Sequence, residues 1–225
     1  MAVGEAVGRA LGHVLAPLFV AGTKLRRARV FHPGGRVWHA EVEAASDAGA
    51  PLAGPALVRI GGAAWRGEDD LPDVLGLAVR FGEGREGHVD GEVDVSFATF
   101  RTPLLLPAAF FTTDRRDYLT NTYWAGVPYD VGGRVAKLRA VPVAPSPPGP
   151  SRGERLAAAV AAGDALFVVE ADGRAIARVK LLRRAEVDEA KLRFAPYAGG
   201  RGLAPRGMLT AMRQVVYPKC QDARA

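Results

Sequence analysis

The stretch ALFVVEADGRAIARVKLL (165–182) constrains the fold more than any other part of the sequence. Two apolar runs meet at Asp172-Gly173, a dipeptide that tolerates the positive φ angles of a tight turn, so it predicts an antiparallel hairpin. Other strand-like runs surround it: RVWHAEVEA (36–44), ALVRI (56–60), LGLAVRF (75–81), EVDVSFATF (92–100), RVAKLRAVPV (134–143) and KLRFAPY (191–197). In the first of these, Val37, His39 and Val42 alternate with polar neighbours, as on a half-buried strand. With the hairpin these make eight candidate strands. Short turns rich in the chain's 27 glycines and 16 prolines join them, which implies an antiparallel barrel or sandwich.

Helical signals are fewer. Residues 4–22 read as an amphipathic helix. RLAAAVAAG (155–163) is alanine-rich, with Gly163 as its stop. A last helix is expected to begin near Pro205 and to run through RGMLTAMRQVVY. VAPSPPGPSRGE (143–154) is too rich in proline and glycine to be anything but a loop. The 225 residues, 48% hydrophobic, suit one sizeable domain. Its parts are an N-terminal helix or arm (1–28), a barrel (29–200) with the 143–154 linker inserted, and a terminal helix (201–225). The expected class is α+β.

The net charge of +6 favours anionic partners. No basic run interleaved with aromatic residues exists, so a nucleic-acid partner is not expected. Cys220 is the only cysteine, which rules out an internal disulfide and a cysteine-based metal cluster and fits a reducing cytoplasm. The apolar N-terminal stretch is interrupted by Arg9, His13 and Pro17. It falls short of the roughly 20 apolar residues that a membrane span requires. It is therefore expected on the domain surface, with association at a membrane surface as the alternative.

The end of the chain, MRQVVYPKCQDARA (212–225), carries the chemistry. Arg213 and Tyr217 are four apart and share a helix face. A guanidinium held beside a phenol oxygen favours the ionised oxygen, and a phenolate is a hard anionic ligand that ferric haem iron accepts. Pro218 lacks an N–H and disfavours helical geometry at the residue before it, so the helix is expected to bend or restart there. The spacing alone also suits an ordinary surface pair, and a Cys220 thiolate is a competing ligand. A partner acid–base group must come from His13, His32, His39 or His88. His32 stands out because RVFHPGG places it before a Pro-Gly-Gly turn that leads into the first strand.

Three segments, in this order, resemble haem catalases. RARVFHPGGRVWHAEVE resembles the distal-histidine segment of that family. PALVRIGGAAWRGEDDLPDVLGLAVRF is similar to the stretch that follows it. RQVVYPKCQDAR resembles the proximal Arg-x-x-x-Tyr-Pro with a second arginine after it. The resemblance covers about the first 110 residues and the last 15. It implies a catalase-like eight-stranded antiparallel barrel with flanking helices, and haem b (iron protoporphyrin IX) as cofactor. It also implies Tyr217 as the axial iron ligand, Arg213 as the group that keeps Tyr217 ionised, and His32 as the distal acid–base. Arg29, Arg59 and Arg224 would meet the haem propionates, and Phe31 and Phe110 would contact the haem.

The chain departs from that family in instructive places. Catalases are at least about twice as long, so this sequence looks like a minimal, barrel-only relative. It is allied to hydroperoxide-converting enzymes such as allene oxide synthase. The family's distal serine falls on Gly61, and its distal asparagine on Phe100 or Ala98, depending on the anchor. Phe31 adds an aromatic ring beside His32. NTYWAGVPYD (121–130) is expected to pack against the barrel, or to line the haem edge or substrate channel. The implied activity is a haem-dependent peroxidase or peroxygenase acting on hydrogen peroxide or organic hydroperoxides, with weak catalase activity. The alternatives are a lipid hydroperoxide isomerase or dehydratase, and a non-catalytic haem-binding module. The arms that lock catalase tetramers are short here, which leaves a homodimer as the expected assembly.

Overall fold

The structure is a computed structural model and describes residues 3–26, 34–65, 71–83, 87–188 and 191–223. Eight strands run β1 (Arg36–Ala44), β2 (Gly54–Gly62), β3 (Leu75–Phe81), β4 (Val93–Ala98), β5 (Tyr123–Val131), β6 (Arg134–Pro142), β7 (Leu166–Ala171) and β8 (Arg174–Arg184). Each pairs antiparallel with the next, and β8 pairs back onto β1, so the sheet closes into a barrel. The seam is narrow. β4 meets β5 only through Phe97 opposite Ala125 and Ala98 opposite Trp124. The far end of β5 turns away from β4 and takes a ninth strand, β9 (Leu203–Pro205), as its partner.

Alternation decides which side chains fill the barrel. Trp38, Ala40 and Val42 of β1 point inward, as do Val58 and Ile60 of β2 and Leu75, Leu77, Val79 and Phe81 of β3. Val93, Val95, Tyr123, Tyr129, Leu138 and Phe167 join them in one buried cluster. An eight-stranded barrel leaves just enough room for such side chains, so its interior is a core and not a channel. The ring of Tyr123 meets Phe167 edge-on at 6.1 Å, and its hydroxyl donates to the Tyr118 carbonyl at 2.8 Å.

Among the described residues, four α-helices flank the barrel: α1 (Val3–Arg26), α2 (Leu106–Thr112), α3 (Arg152–Ala162) and α4 (Met208–Asp222). Ser151 caps α3 by accepting from the Glu154 N–H, and Gly163 closes the helix in the left-handed conformation at φ 81°. Leu156, Ala159 and Val160 of α3 join the barrel core. α1 lies along α4. Close approach is possible because glycines face the partner: a Cβ on Gly8 would come within 2.9 Å of the Met208 carbonyl carbon, and one on Gly12 within 2.9 Å of Val215 Cβ.

The α+β class, the closed antiparallel barrel and the C-terminal helix match the sequence expectation, and β1 and β3 have the expected bounds. The hairpin turns at Asp172 and Gly173, with φ 47° and 83°. Several details differ. The inward residues of β1 are Trp38, Ala40 and Val42, whereas Val37 faces outward into a second cluster with Leu57, Leu192 and Phe194. The eighth strand is 123–131, not 191–197, which runs as irregular chain over the barrel's outer face. Loop 143–154 gives way to α3 at Arg152, and Pro205 ends β9 instead of opening the last helix. α4 continues through Pro218 to Asp222 without restarting. α1 is longer than expected, and its Val3–Leu25 stretch is long and apolar enough to cross a membrane.

Candidate functional site

The site grows from the outward residues of four strands. Register aligns Arg59, Ala78 and Ser96 in one row across β2, β3 and β4. The next row reads Gly61, Gly76, Ala98 and Trp124 across β2 to β5. Small side chains on neighbouring strands leave a shallow floor where larger residues would fill the space. Arg59 stands at one margin and Trp124 at the other. α4 supplies the facing wall with Leu209, Met212, Arg213, Val216, Tyr217 and Cys220, while Phe19 and Thr23 of α1 close one side. The cavity, open on one side, measures about 440 Å³, within the range of pockets for organic ligands and cofactors.

Polar groups are few in this cavity and they converge. Arg59 is buried. Arg213 and Tyr217 are half-buried, one helical turn apart on α4. Arg213 Nη1 is buried and has no hydrogen-bond partner among the described residues. Gly126 of β5 stands opposite, where a Cβ would lie 3.7 Å from Arg213 Nη2. The Tyr217 ring meets Tyr197 edge-on, with centroids 6.2 Å apart. Burial raises the Tyr197 hydroxyl above its ordinary range. Burial also raises the Tyr129 hydroxyl, against the opposing charge of Arg213, and the Tyr129 oxygen is likewise without a partner among the described residues.

Trp124 is held between two cations. The Arg101 and Arg139 guanidinium carbons each lie 5.3 Å from its ring centroid, and Arg139 Nε also pairs with Glu170 at 2.6 Å. That fixes the ring as a rigid margin of the cavity. On the loop between β2 and β3, the buried Asp73 carboxylate accepts from the N–H groups of Ala63, Ala64 and Val74 at 2.8–3.0 Å. Ala63 and Val74 thereby become fixed parts of the wall.

Of the residues singled out from the sequence, Arg59, Arg213 and Tyr217 meet at this one cavity, and Cys220 lines it three residues beyond Tyr217. Ala98 and Phe100, the two alternatives for the distal amide position, both line it as well. Phe110 sits half-buried on α2 outside the lining, and Phe100 and Leu106 form the wall in that region. Arg29, Phe31, His32 and Arg224 lie outside the described residues. His13 is exposed on α1. His39 is half-buried on β1, where burial and then Arg183 lower its basicity. His88 forms part of a separate buried cluster with Asp94.

Sequence reasoning missed Ser96, Gly126 and the small residues of the floor. Their common signal is alternation of a small residue with a large apolar one, as in LGLAV, which becomes meaningful only once the strands are in register. Gly61 has its own explanation. A Cβ there would come within 2.8 Å of Gly35 Cα and closer still to the Gly34 carbonyl oxygen, so the backbone leading into β1 excludes a serine. No protein-family model matches the chain, and no curated protein is significantly similar to it in sequence.

Proposed function

We propose that this chain binds haem b in the cavity, where Tyr217 would hold the iron, and acts as a haem-dependent peroxidase or peroxygenase on hydrogen peroxide or organic hydroperoxides, with weak catalase activity. The observation that carries this reading is the convergence of Tyr217 and Arg213 on one wall of a largely apolar cavity that has Arg59 at its margin. The residues fit the group. The floor of Gly76, Ala78, Ser96 and Ala98 carries no bulky side chain that would oppose a flat ring. Arg59 is a buried cation suited to a propionate, because charge-assisted pairs are the strong ones. Arg213 Nη1, without a hydrogen-bond partner among the described residues, is a donor that a buried anion would satisfy. By resemblance, Arg29 and Arg224 would add to the propionate contacts.

Bound haem would supply a ferric centre at which a peroxide O–O bond can be cleaved. The chain's own residues divide the remaining work. By the resemblance, Arg213, one helical turn before Tyr217 on the same wall, is the residue that supports it as the ligand. His32 takes the proton from the hydroperoxide at an imidazole nitrogen and returns it to the leaving oxygen, a role worth about 10² to 10⁴ in rate. That role for His32 rests on the resemblance of RVFHPGG to the distal-histidine segment. Ala98 and Phe100 offer no side-chain donor, so hydrogen peroxide is held less well than a bulkier apolar hydroperoxide.

The apolar walls formed by Phe19, Leu106, Phe194 and Met212 favour a second reading, in which a lipid hydroperoxide is isomerised or dehydrated without a reductant. The test supplies haem-loaded protein with hydrogen peroxide and ABTS, and separately with a fatty-acid hydroperoxide alone. Peroxide-dependent ABTS oxidation that falls by about 10² to 10⁴ in His32→Ala supports the first reading. Conversion of the fatty-acid hydroperoxide without ABTS supports the second. Turnover unchanged in His32→Ala contradicts both.

A further inference from the structure

α1 buries one face and leaves the other without the polar residues a solvated helix carries. Of its thirteen exposed residues between Val3 and Leu25, only His13 and Lys24 have polar side chains. Val3, Val14, Leu18 and Leu25 are 82%, 74%, 70% and 87% exposed. A surface helix normally turns its apolar stripe to the core and its polar residues outward, so an outer face this apolar calls for another cover. Two further apolar outcrops stand beside the same cavity. Leu104, Leu105 and Phe111 are exposed on either side of Leu106, which lines the cavity. Trp65 and Leu71 are exposed on the loop whose Ala63 and Val74 line it.

We infer that this apolar surface docks the protein onto an anionic lipid bilayer, with α1 lying in the plane of the interface. α1 does not leave the domain to span the bilayer. Gly8 and Gly12 are packed against Met208, Met212 and Val215 of α4, Arg9 bonds to Gln214, and Phe19 and Thr23 are built into the cavity wall. Its outer face is therefore the part free to enter the headgroup region. A second copy is the weaker occupant. Val7, Leu11, Val14, Leu18 and Leu25 have heptad spacing, but the flanking positions are Gly8, Ala10, Leu15, Pro17, Gly22 and Lys24. All but one of these lack the charges that set pairing in a coiled coil. The net charge of +6 repels another copy and attracts anionic lipid. In the sequence, Lys24 is followed by arginines at 26, 27 and 29. The inference does not depend on haem.

The test is co-sedimentation of the full chain with phosphatidylcholine vesicles containing phosphatidylglycerol, against pure phosphatidylcholine vesicles. The mixed vesicles should bind the protein, and the neutral ones about tenfold less. Val14→Asp with Leu18→Asp should lower partitioning by about a hundredfold with the melting transition unchanged. Lys24→Glu should weaken binding to the mixed vesicles only. If the double variant fails to fold, Leu25→Asp at the other end of the stripe replaces it. Equal sedimentation of variant and wild type overturns the inference, as does the absence of sedimentation with either vesicle. A wild-type dimer that the double variant converts to monomer, with no vesicle binding, assigns the face to a second copy and also overturns it.

Discussion

Arg80 on β3 and Asp94 on β4 face each other on the outside of the barrel, both fully buried, with Nε 2.8 Å from Oδ1 and Nη2 2.9 Å from Oδ2. The pair also ties down the irregular chain above it. Asp94 Oδ2 accepts from the Ala195 N–H at 2.6 Å, and Arg80 donates to the Arg193 carbonyl. The guanidinium lies 4.9 Å from the Phe194 ring centroid. Gln221 of α4 then donates to the Phe194 carbonyl at 2.6 Å. One ion pair thus fastens the 193–195 segment and the end of α4, next to the Ala78–Ser96 row of the cavity floor.

Breaking that pair removes the bidentate partner of a buried cation and leaves Arg80 the longer contact to Glu92, 3.7 Å from its Nε. Asp94→Ala is expected to cost about 3–5 kcal/mol, read from the midpoint of urea denaturation at constant slope. Replacing both partners together, as Arg80→Met with Asp94→Leu, should recover much of that loss. A double variant no more stable than Asp94→Ala would mean that the bonds to Arg193 and Ala195 carry the stability instead of the charge pair.

His88 makes part of this network sensitive to pH. Its Nδ1 lies 3.3 Å from Asp94 Oδ2, and this close carboxylate raises its basicity above the ordinary value of 6.5 despite burial. Burial works against the Asp94 carboxylate, yet the nearby His88 and the hydrogen bonds from Arg80 and the Ala195 N–H hold it below its ordinary range. The raised imidazole contributes stability that is complete below about pH 6.5 and is lost as pH rises through its folded value. The lowered carboxylate contributes stability that is lost only as pH falls below 3.8. The stability difference between wild type and His88→Gln should therefore be largest at mildly acid pH and shrink as pH rises, measured by urea denaturation across the range. A difference that grows with rising pH would contradict the assignment.

Gly61→Ser tests the close approach at the mouth of β1. The added side chain has no room against the Gly34 and Gly35 backbone, and overpacking of this kind costs about 1–3 kcal/mol. The thermal midpoint should fall, and the serine should not improve hydrogen peroxide turnover. A variant as stable as wild type would show that the Gly34–Gly35 strand entry yields easily.

What the sequence disclosed was local. Asp172-Gly173 announces its turn because the residue types and the required φ angles coincide, and Arg213 with Tyr217 is visible because one helical turn separates them. The eighth strand was misplaced for a physical reason. KLRFAPY has apolar alternation, but its backbone groups are claimed by Arg80 and Asp94 instead of by a neighbouring strand. YWAGVPYDV does pair, with Gly126 and Pro128 inside it and a register shift between Trp124 and Pro128 that no periodicity announces. The cavity itself was hidden. Gly76, Ala78, Ser96 and Ala98 become a floor only when register brings them into rows, and Phe194 becomes a wall only because a distant ion pair holds its segment down.

The most direct measurement is the absorption spectrum of the purified protein with haem supplied, compared with that of Tyr217→Phe. The account predicts a ferric haem spectrum for the wild type that changes when the phenol oxygen is removed and is left intact by Cys220→Ser. A wild type that takes up no haem, or a Tyr217→Phe spectrum identical to it, would contradict the account.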